Sequence, residues 1–299
     1  MIAIIARKNL WLSISGLMVV CAVGALLLWQ LKLGIDFTGG SLLELTYTSA
    51  RPSHVAIQER LDAVDMKEVE MKDSGEKGVL LRFKTVTEET HQKILAELKK
   101  DDGTLLEKSF QSIGPVIGQE LKSKSLMAIL LALVMILLYI TIVFRKVSYP
   151  VASWKYGTAA IFALFHDLLF VLGIFAVLGH FRGVEIQSSF IPAFLTVLGF
   201  SVHDTIVVFD RIRENLQKFK GEFAEIVQKS LSETIVRSIN TSFTVLLVLS
   251  ALYFFGGETL KTFSLALLLG IGIGTFSSIF VASPLLVFWH EWSAKKKGL

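Results

Sequence analysis

The sequence is poor in cysteine and in charged residues. Among its 299 residues there is one cysteine, Cys21, and Asp, Glu, Lys and Arg together make up 19%. A single cysteine excludes an internal disulfide framework and a zinc site built from several cysteines. So little charge, beside 53% hydrophobic residues and a mean hydropathy of +0.60, excludes an ordinary soluble domain, in which about 25% of residues are charged.

Motifs for nucleotide, metal and hydrolytic chemistry are also missing. The glycine-bearing segments 34–40 and 112–118 lack the spacing and the lysine of a Walker phosphate loop, and no His-Glu-x-x-His sequence occurs. Ser201 and His203 are two residues apart on a predicted helix, so their side chains point in different directions and cannot share a proton. The sequence therefore predicts neither an enzyme nor a metal or organic cofactor site.

The charges that are present divide the chain into two parts. Residues 34–124 hold 13 of the 30 basic and 16 of the 26 acidic residues, a net of −3, which leaves +7 for the rest. Outside this insert, six stretches are long and apolar enough to cross a bilayer, for which about 20 residues are needed. They are residues 10–31, 126–144, 156–178, 190–209, 239–255 and 263–288. The first is too long for a cleaved signal peptide, so residues 1–33 are predicted to form an uncleaved anchor.

Basic residues at the ends of these stretches predict the orientation of the chain. Three of them, Lys32, Arg182 and Lys261, lie on the side of the insert. Those on the side of the two termini are Arg7, Lys8, Arg145, Lys146, Lys155, Arg211, Arg213, Lys218, Lys220, Lys229, Arg237, Lys295, Lys296 and Lys297. Because an excess of basic residues marks the cytoplasmic side, both termini are predicted to be cytoplasmic. Residues 34–124 then lie on the far side of the membrane, which for the inner membrane of a bacterium is the periplasm.

The periplasmic insert alternates strand-like and helix-like segments. Strand-forming residues occupy 41–49, 69–72, 79–86 and 105–112, helical periodicity occupies 53–64 and 87–100, and turn residues lie at 101–103. This βαββαβ order predicts a ferredoxin-like α+β domain. His54 and His91 lie among charged residues and are expected at its surface. Without a nucleophile–base pair, such a domain is better suited to binding a polypeptide or a partner than to catalysis.

Two aspartates, Asp167 and Asp204, lie inside the predicted spans away from their ends, and each follows a histidine. A charged side chain in hydrocarbon costs about 2.5–3.5 kcal/mol on insertion scales, so both aspartates need an explanation. Three interpretations stay open for Asp204: a structural ion pair, a proton-relay carboxylate of a transporter, and the aspartate of an intramembrane protease. The protease is disfavoured because neither aspartate lies in a Gly-x-Gly-Asp sequence.

Polar residues on two neighbouring spans predict where Asp204 could find a partner. On the fourth span, Ser201 and Thr205 share a helical face with Asp204. The fifth span begins with a second polar face that holds Arg237, Asn240, Thr241 and Thr244. Because both faces lie towards the cytoplasmic end, a pair between Asp204 and Arg237 is sterically reasonable.

The segment between these two spans, residues 211–236, is predicted to be a cytoplasmic amphipathic helix. Its apolar side carries Phe219, Phe223, Ile226, Val227 and Leu231. Such a helix is expected to lie on the membrane surface or to dock on a partner. Residues 125–299 are thus predicted to form a five-helix membrane bundle that includes this segment.

Six motifs follow one another along nearly the whole chain. They are GIDFTGG at 34–40, SIGP at 112–115, FHD at 165–167, VVFDRIREN at 207–215, RSINTS at 237–242 and GGETL at 256–260. In this order, with six spans and an insert after the first, the chain resembles the SecF subunits of the SecD/SecF family. These belong to the bacterial Sec protein-export machinery and to the resistance–nodulation–division (RND) superfamily.

The resemblance implies a function that the spacing of residues does not supply. It implies a SecD-like partner, a place beside the SecYEG channel with YajC as a possible further partner, and proton-driven movement of an exported polypeptide. The proton is the coupling ion, and neither a cofactor nor a nucleic-acid partner is expected. The alternatives are half of an RND-type exporter of small molecules or lipids, and a passive membrane assembly scaffold.

The resemblance also assigns roles to residues. It implies that Asp204 is the proton-pathway carboxylate and Arg237 its basic partner. We further predict Asp167 and His203 as members of the proton pathway and, from the two polar faces, Ser201, Thr205, Asn240 and Thr241 as polar support. The family commonly has Asn before the equivalent of Asp204, so His203 is either a polar space-filler or a second proton-carrying group.

Overall fold

A computed structural model of the protein describes residues 3–100, 105–144 and 151–296. The chain divides into two compact units, a membrane unit of Met1–Lys32 with Met127–Leu299 and a sheet unit of Leu33–Leu126. The predicted turn at 101–103 and the basic residues Arg145, Lys146 and Lys297 lie outside the described residues.

Helices and four strands follow one another in the described parts of the chain. The helices are α1 (Lys8–Trp29), α2 (Ile35–Thr38), α3 (His54–Asp62), α4 (Glu88–Leu98), α5 (Pro115–Phe144), α6 (Ser153–Arg182), α7 (Phe190–Lys218), α8 (Phe223–Phe255), α9 (Glu258–Ser277) and α10 (Ser283–Lys296). The strands are β1 (Gly40–Thr46), β2 (Glu70–Ser74), β3 (Gly78–Phe83) and β4 (Leu106–Ile113). A π-helical turn, Ser278–Ala282, joins α9 to α10.

Six helical segments are long and apolar enough to cross a membrane, which confirms the predicted polytopic helical fold. They are α1, α5, α6, α7, α8 and a sixth segment that runs from α9 through the π-helical turn into α10. Helix α1 ends at Trp29, two residues before the end of the apolar run that predicted it. The other five segments continue beyond their apolar runs, because polar residues at a membrane boundary can stay helical while they face water.

The prediction of a separate amphipathic helix at 211–236 is wrong. Its first part, up to Lys218, is the end of α7, and its second part, from Phe223, is the start of α8. The chain leaves the helical conformation only around Gly221, a residue with low helix propensity. Of the predicted apolar side, Phe223, Ile226, Val227 and Leu231 are buried inside the membrane unit, whereas Phe219 is exposed.

The sheet unit has the predicted ferredoxin-like topology. Its four strands are antiparallel in the order β2-β3-β1-β4. Alternate residues of β1 and β3, among them Leu43, Leu45 and Leu81, form a core with α3 and α4. One expectation for this unit is wrong, since His91 is buried and its ring stacks 3.7 Å from that of Phe110, whereas His54 is exposed as expected.

Two glycines connect α2 to β1 in a conformation that other residues rarely adopt. Gly39 and Gly40 have φ angles of +74° and +126°. A Cβ atom on Gly39 would lie 2.8 Å from Pro115 Cα, and one on Gly40 would lie 3.0 Å from the Phe83 carbonyl oxygen. Both the backbone angles and the close approach therefore require glycine at these positions.

Helix α9 lies at the centre of the membrane unit and packs against α6, α7 and α8. Its close approach to α7 depends on two glycines spaced four residues apart. A Cβ atom on Gly270 would overlap Val197, and one on Gly274 would lie 3.0 Å from Ser201 Cβ. This approach brings Ser201 of α7 into the interior, where the carboxylates lie.

Candidate functional site

Asp167 lies on α6 at the point where α6, α7 and α9 meet, and it is fully buried. Ser201 Oγ of α7 and Ser277 Oγ of α9 donate hydrogen bonds of 2.6 and 2.7 Å to Asp167 Oδ2. The neighbouring His166 places its Nδ1 3.0 Å from Asp167 Oδ1. Three helices thus supply the donors that a buried carboxylate requires.

Asp204 lies on α7, and serine hydroxyls of α8 and of the π-helical turn bind it in a similar way. Ser238 Oγ of α8 donates a 2.6 Å hydrogen bond to Asp204 Oδ1. Ser278 Oγ, the first residue of the π-helical turn, donates to Asp204 Oδ2. Asp204 is 8% exposed, so it is less deeply enclosed than Asp167.

Two consecutive serines connect the two carboxylates. Ser277, the last residue of α9, contacts Asp167, and Ser278 contacts Asp204. The chain changes from α-helix to π-helix between these two residues. π-Helical turns are rare and occur often at functional sites, because they redirect side chains within a continuous helix. One short piece of backbone therefore carries a hydroxyl donor to each of the two carboxylates.

The hydroxyl contacts determine what the site can do chemically. A serine hydroxyl can donate to an ionised carboxylate and can accept from a protonated one, whereas a cation favours the ionised form alone. Within 4.0 Å of Asp167 or Asp204, the described residues place no lysine or arginine in an ion pair. They also contain no cluster of three metal-ligating side chains. The site is thus suited to binding and releasing a proton.

The pair that the sequence suggested, Asp204 with Arg237, is not formed among the described side chains. Ser238 points towards Asp204, and successive residues on a helix are about 100° apart. Arg237 is therefore turned to the exposed side of α8, as are Asn240 and Thr241. These residues share a face, as predicted, but it is the outer face of the membrane unit.

The remaining predicted residues divide between the interior and the surface. Ser201 and Thr205 are both buried with Asp204 on the inner face of α7. His203 is exposed on the opposite side of the same helix. The structure thus brings together Asp167, Asp204 and Ser201, but it does not bring His203 or Arg237 to them.

Sequence reasoning missed the hydroxyl groups on α8 and α9. Four residues of α8 lie at every fourth position and are buried: Ser230, Thr234, Ser238 and Ser242. Ser238 contacts Asp204, and Ser242 contacts Thr275 of α9 through their hydroxyl groups. The signal that could have found them is this spacing, which places all four on one helical face.

A second polar cluster joins the helix ends where α7 leads into α8. Asn215 Nδ2 donates hydrogen bonds to Ser230 Oγ, at 2.9 Å, and to Glu233 Oε2, at 2.8 Å. Arg211 lies 2.6 Å from carboxylate oxygens of both Glu214 and Glu233. This cluster contains cations and fixes the α7–α8 connection, so it differs in chemistry from the hydroxyl-held carboxylates.

The fold and this site define a class of protein, a polytopic helical membrane protein with paired carboxylates in its interior and a ferredoxin-like unit after its first span. The family described as "Protein export membrane protein SecD/SecF, C-terminal" matches residues 93–292 of this chain. The SecD/SecF GG motif matches residues 30–50, which include Gly39 and Gly40. The chain belongs to the SecD/SecF family.

Curated relatives narrow the family to one of its branches. Protein translocase subunit SecF of Thermobaculum terrenum is 45% identical over 97% of this chain and 95% of its own. The SecF subunit of Anaerolinea thermophila is 35% identical over 98% of this chain and 96% of its own. The chain is therefore a SecF-family protein translocase subunit of the Sec export pathway.

Solved structures of longer relatives have the same fold. SecDF of Thermus thermophilus, a translocon-associated membrane protein, superposes with a TM-score of 0.82 at 32% identity and 96% coverage of this chain. A second structure, SecDF in its super-membrane-facing form, gives a TM-score of 0.70 at 31% identity. This chain covers 38% and 39% of those two chains.

Proposed function

We propose that this chain uses proton flow, together with a SecD-like partner, to promote the export of polypeptides across the inner membrane. The observation that carries the proposal is the pair of buried carboxylates, Asp167 and Asp204, held by serine hydroxyls. Such carboxylates can change protonation without losing their hydrogen-bond partners. Proton relays in membrane proteins are commonly built from carboxylates within the spans.

The comparisons support a SecD-like partner. The curated relatives, of which this chain covers 95% and 96%, are named subunits of a protein translocase, and the solved relatives that share its fold are named SecDF. The exposed polar face of α8, with Arg237, Asn240 and Thr241, is costly in lipid and is where a polar surface of the SecD-like subunit would pack.

The distribution of basic residues supports the orientation. With both termini in the cytoplasm, the sheet unit lies in the periplasm, where an exported chain emerges. We extend the proposal to SecYEG, YajC and the exported polypeptide as partners, on the basis of the family alone. The proton is the coupling ion in this scheme, and the chain acts as a transport subunit without enzymatic activity or a bound cofactor.

The test is export in inner-membrane vesicles under an imposed proton gradient. We expect Asp204→Asn to lower the gradient-driven export rate at least tenfold, because the amide keeps the size of the side chain but carries no exchangeable acid proton. Arg237→Met changes the exposed face of α8, away from both carboxylates, and we expect it to lower export by weakening assembly with the SecD-like subunit. Co-purification with the SecD-like subunit measures the assembly of each variant.

Asp210→Asn is the matched control, because Asp210 lies on the same helix, is exposed and pairs with Arg213 at 2.8 Å. It should export at the wild-type rate. Wild-type gradient dependence in an assembled Asp204→Asn variant would refute proton coupling and would favour a passive scaffold, in which the carboxylates only fix helix packing.

A further inference from the structure

Three buried polar atoms on α1 and α6 have no hydrogen-bond partner within the protein. They are Trp11 Nε1, Ser15 Oγ and His166 Nε2. Ser15 is 3% exposed and His166 is 5% exposed, so neither reaches bulk solvent. A buried polar group without a partner costs about 1–3 kcal/mol, and such groups are usually satisfied by an ordered water.

The packing of α1 against α6 indicates which residues of the two helices lie at the same level. Ala22 lies against Gly173, where an added Cβ would be 2.6 Å from Ala22 Cα, and Trp29 stacks on His180 at 5.5 Å. Both contacts join residues whose numbers differ by 151, so the two helices run parallel in one register. Seven residues earlier, the same register pairs Ser15 with His166.

Aromatic contacts place Trp11 beside the same pair. Trp11 lies one turn before Ser15 on the same face of α1. Its ring is 6.5 Å from that of Phe276, and the ring of His166 lies 6.4 Å from the same phenylalanine. The next residue, Ser277, donates to Asp167. Trp11 and His166 thus contact the same phenylalanine, beside the serine that donates to Asp167.

The donor and acceptor capacities of the three atoms fit one water molecule. Trp11 Nε1 can only donate, Ser15 Oγ can donate or accept, and His166 Nε2 accepts when Nδ1 carries the ring proton. A buried water typically makes about three hydrogen bonds to such groups. His166 Nδ1, on the other side of the ring, lies 3.0 Å from Asp167 Oδ1.

We propose that Trp11, Ser15 and His166 hold a water at the α1–α6 contact, and that Asp167 exchanges its proton with this water through the His166 ring. In loading, a proton driven by the gradient reaches the water, which gives a proton to Nε2 as it receives one and so stays neutral, while Nδ1 passes its proton to the Asp167 carboxylate. The imidazole is neutral before and after the transfer. The reverse pair of transfers returns the proton to the water and restores both groups.

Few other charged groups lie near this site. Packed against this part of α6 are Trp11 and Ser15 of α1, Ser201 of α7 and Phe276 and Ser277 of α9, none of which titrates near neutral pH. Asp167 is thus the titratable group in direct contact with His166. Lys8 and Lys155, at the ends of α1 and α6, lie seven residues from Ser15 and eleven from His166.

The water site can be tested without any transport assay. In the full-length protein with [15N]histidine in lipid bilayers, water-edited solid-state NMR should show magnetisation transfer from water to His166 Nε2. The difference spectrum with His166→Gln identifies the signal among the six histidines. Ser15→Val, which replaces the hydroxyl with methyl groups, should remove the transfer, and a wild-type His166 without water contact would overturn the proposal.

The proton-exchange step rests on the proposed proton coupling and needs a transport assay. The pH profile of gradient-driven export should change with His166→Gln, with a rate loss of about tenfold at the wild-type optimum. Ser15→Ala, the milder change, should shift the profile in the same direction. Ser13→Ala, on the exposed side of α1, is the control and should leave the profile unchanged.

The two proposals fail in different ways. If export by the wild-type protein does not depend on the proton gradient, the proposed function is refuted. The NMR result would still decide the water site. Gradient-driven export in the wild type with an unchanged rate and pH profile in His166→Gln would refute the role of His166 alone. A changed pH profile in His166→Gln beside an unchanged profile in Ser13→Ala supports exchange through His166. A purely structural defect would instead lower the rate at every pH.

Discussion

Cations hold the exposed carboxylates Asp73 and Glu68 of the sheet unit, whereas hydroxyl groups hold the two carboxylates inside the membrane unit. In the sheet unit, Asp73 lies 2.7 Å from both the His54 ring and the Arg51 guanidinium, and Glu68 lies 2.7 Å from Lys84. In the membrane unit, serines on three helical segments donate to Asp167 and Asp204. The same acidic group is therefore placed in two opposite electrostatic settings within one chain.

The two settings give the carboxylates different roles: those paired with cations stay ionised, whereas those bound by hydroxyls can exchange a proton. The hydrogen bond from His54, with a further contribution from Arg51, lowers the pKa of Asp73, and Lys84 lowers the pKa of Glu68 in the same way. Those groups stay ionised throughout the physiological range and serve as surface ion pairs. A hydroxyl can serve either protonation state, so the membrane carboxylates can take part in a proton cycle while the surrounding helices stay packed.

The largest effect on stability is expected when the two serine hydroxyls that donate to Asp167 are removed. We expect the double variant Ser201→Ala/Ser277→Ala to lower the free energy of unfolding by about 3–6 kcal/mol, since hydrogen bonds to charged groups contribute about 1.5–3 kcal/mol each. Reversible unfolding in detergent micelles measures the change. Thr196→Ala is the control, because its hydroxyl donates only to the Pro192 carbonyl of the same helix. Equal stability of the two variants would show that the hydroxyls do not hold the carboxylate.

The two polar faces of α8 should differ, by a smaller amount, in how much they contribute to the free energy of unfolding. Ser242→Val removes the hydroxyl contact to Thr275 and should lower the free energy of unfolding by about 1–2 kcal/mol. Thr241→Val, one residue earlier and exposed, should change it by less than about 0.5 kcal/mol. The same unfolding measurement compares the pair directly. A larger loss with Thr241→Val would mean that the outer face carries the packing.

The fold could be predicted from the sequence because its signals are local. Apolar runs of membrane-spanning length gave the six spans, and alternating segments gave the order of strands and helices. The extension of α7 and α8 through residues 211–218 and 223–236 could not be predicted in this way. Charged side chains lower the hydropathy of these residues, yet the backbone stays helical because the inner faces are buried against other helices.

The candidate site could be predicted only in part. Charged residues inside a span are conspicuous, so Asp167 and Asp204 were found. Serine is neither strongly polar nor apolar. The serines of α8 and α9 that contact these aspartates therefore gave no signal in hydropathy or charge. The rotation of α8 was also undetermined, because Arg237 and Ser238 begin two polar faces and only tertiary packing decides which of them meets Asp204.

The smallest effect concerns the cation-held carboxylates of the sheet unit. Because the pKa of Asp73 is lowered in the folded state, its contribution to stability is present above the ordinary pKa of 3.8 and is lost as the pH falls through the lower, folded value. His54→Ala removes the largest cause of that lowering and should make the sheet unit slightly more sensitive to acid, by a few tenths of a pH unit. The shift is small because the pair is exposed and screened by water.

Hydrogen exchange of peptides from β2 and β3 in the full-length protein, followed from pH 5 to pH 3, measures this shift. The midpoint of acid opening should move to higher pH in His54→Ala, whereas peptides from α6 and α7 should keep their wild-type exchange. His180→Ala, in the membrane unit, is the control and should leave the midpoint of β2 and β3 in place. An equal shift in both variants would mean that acid acts on the chain as a whole, and that ion pairing does not give the sheet unit a pH response of its own.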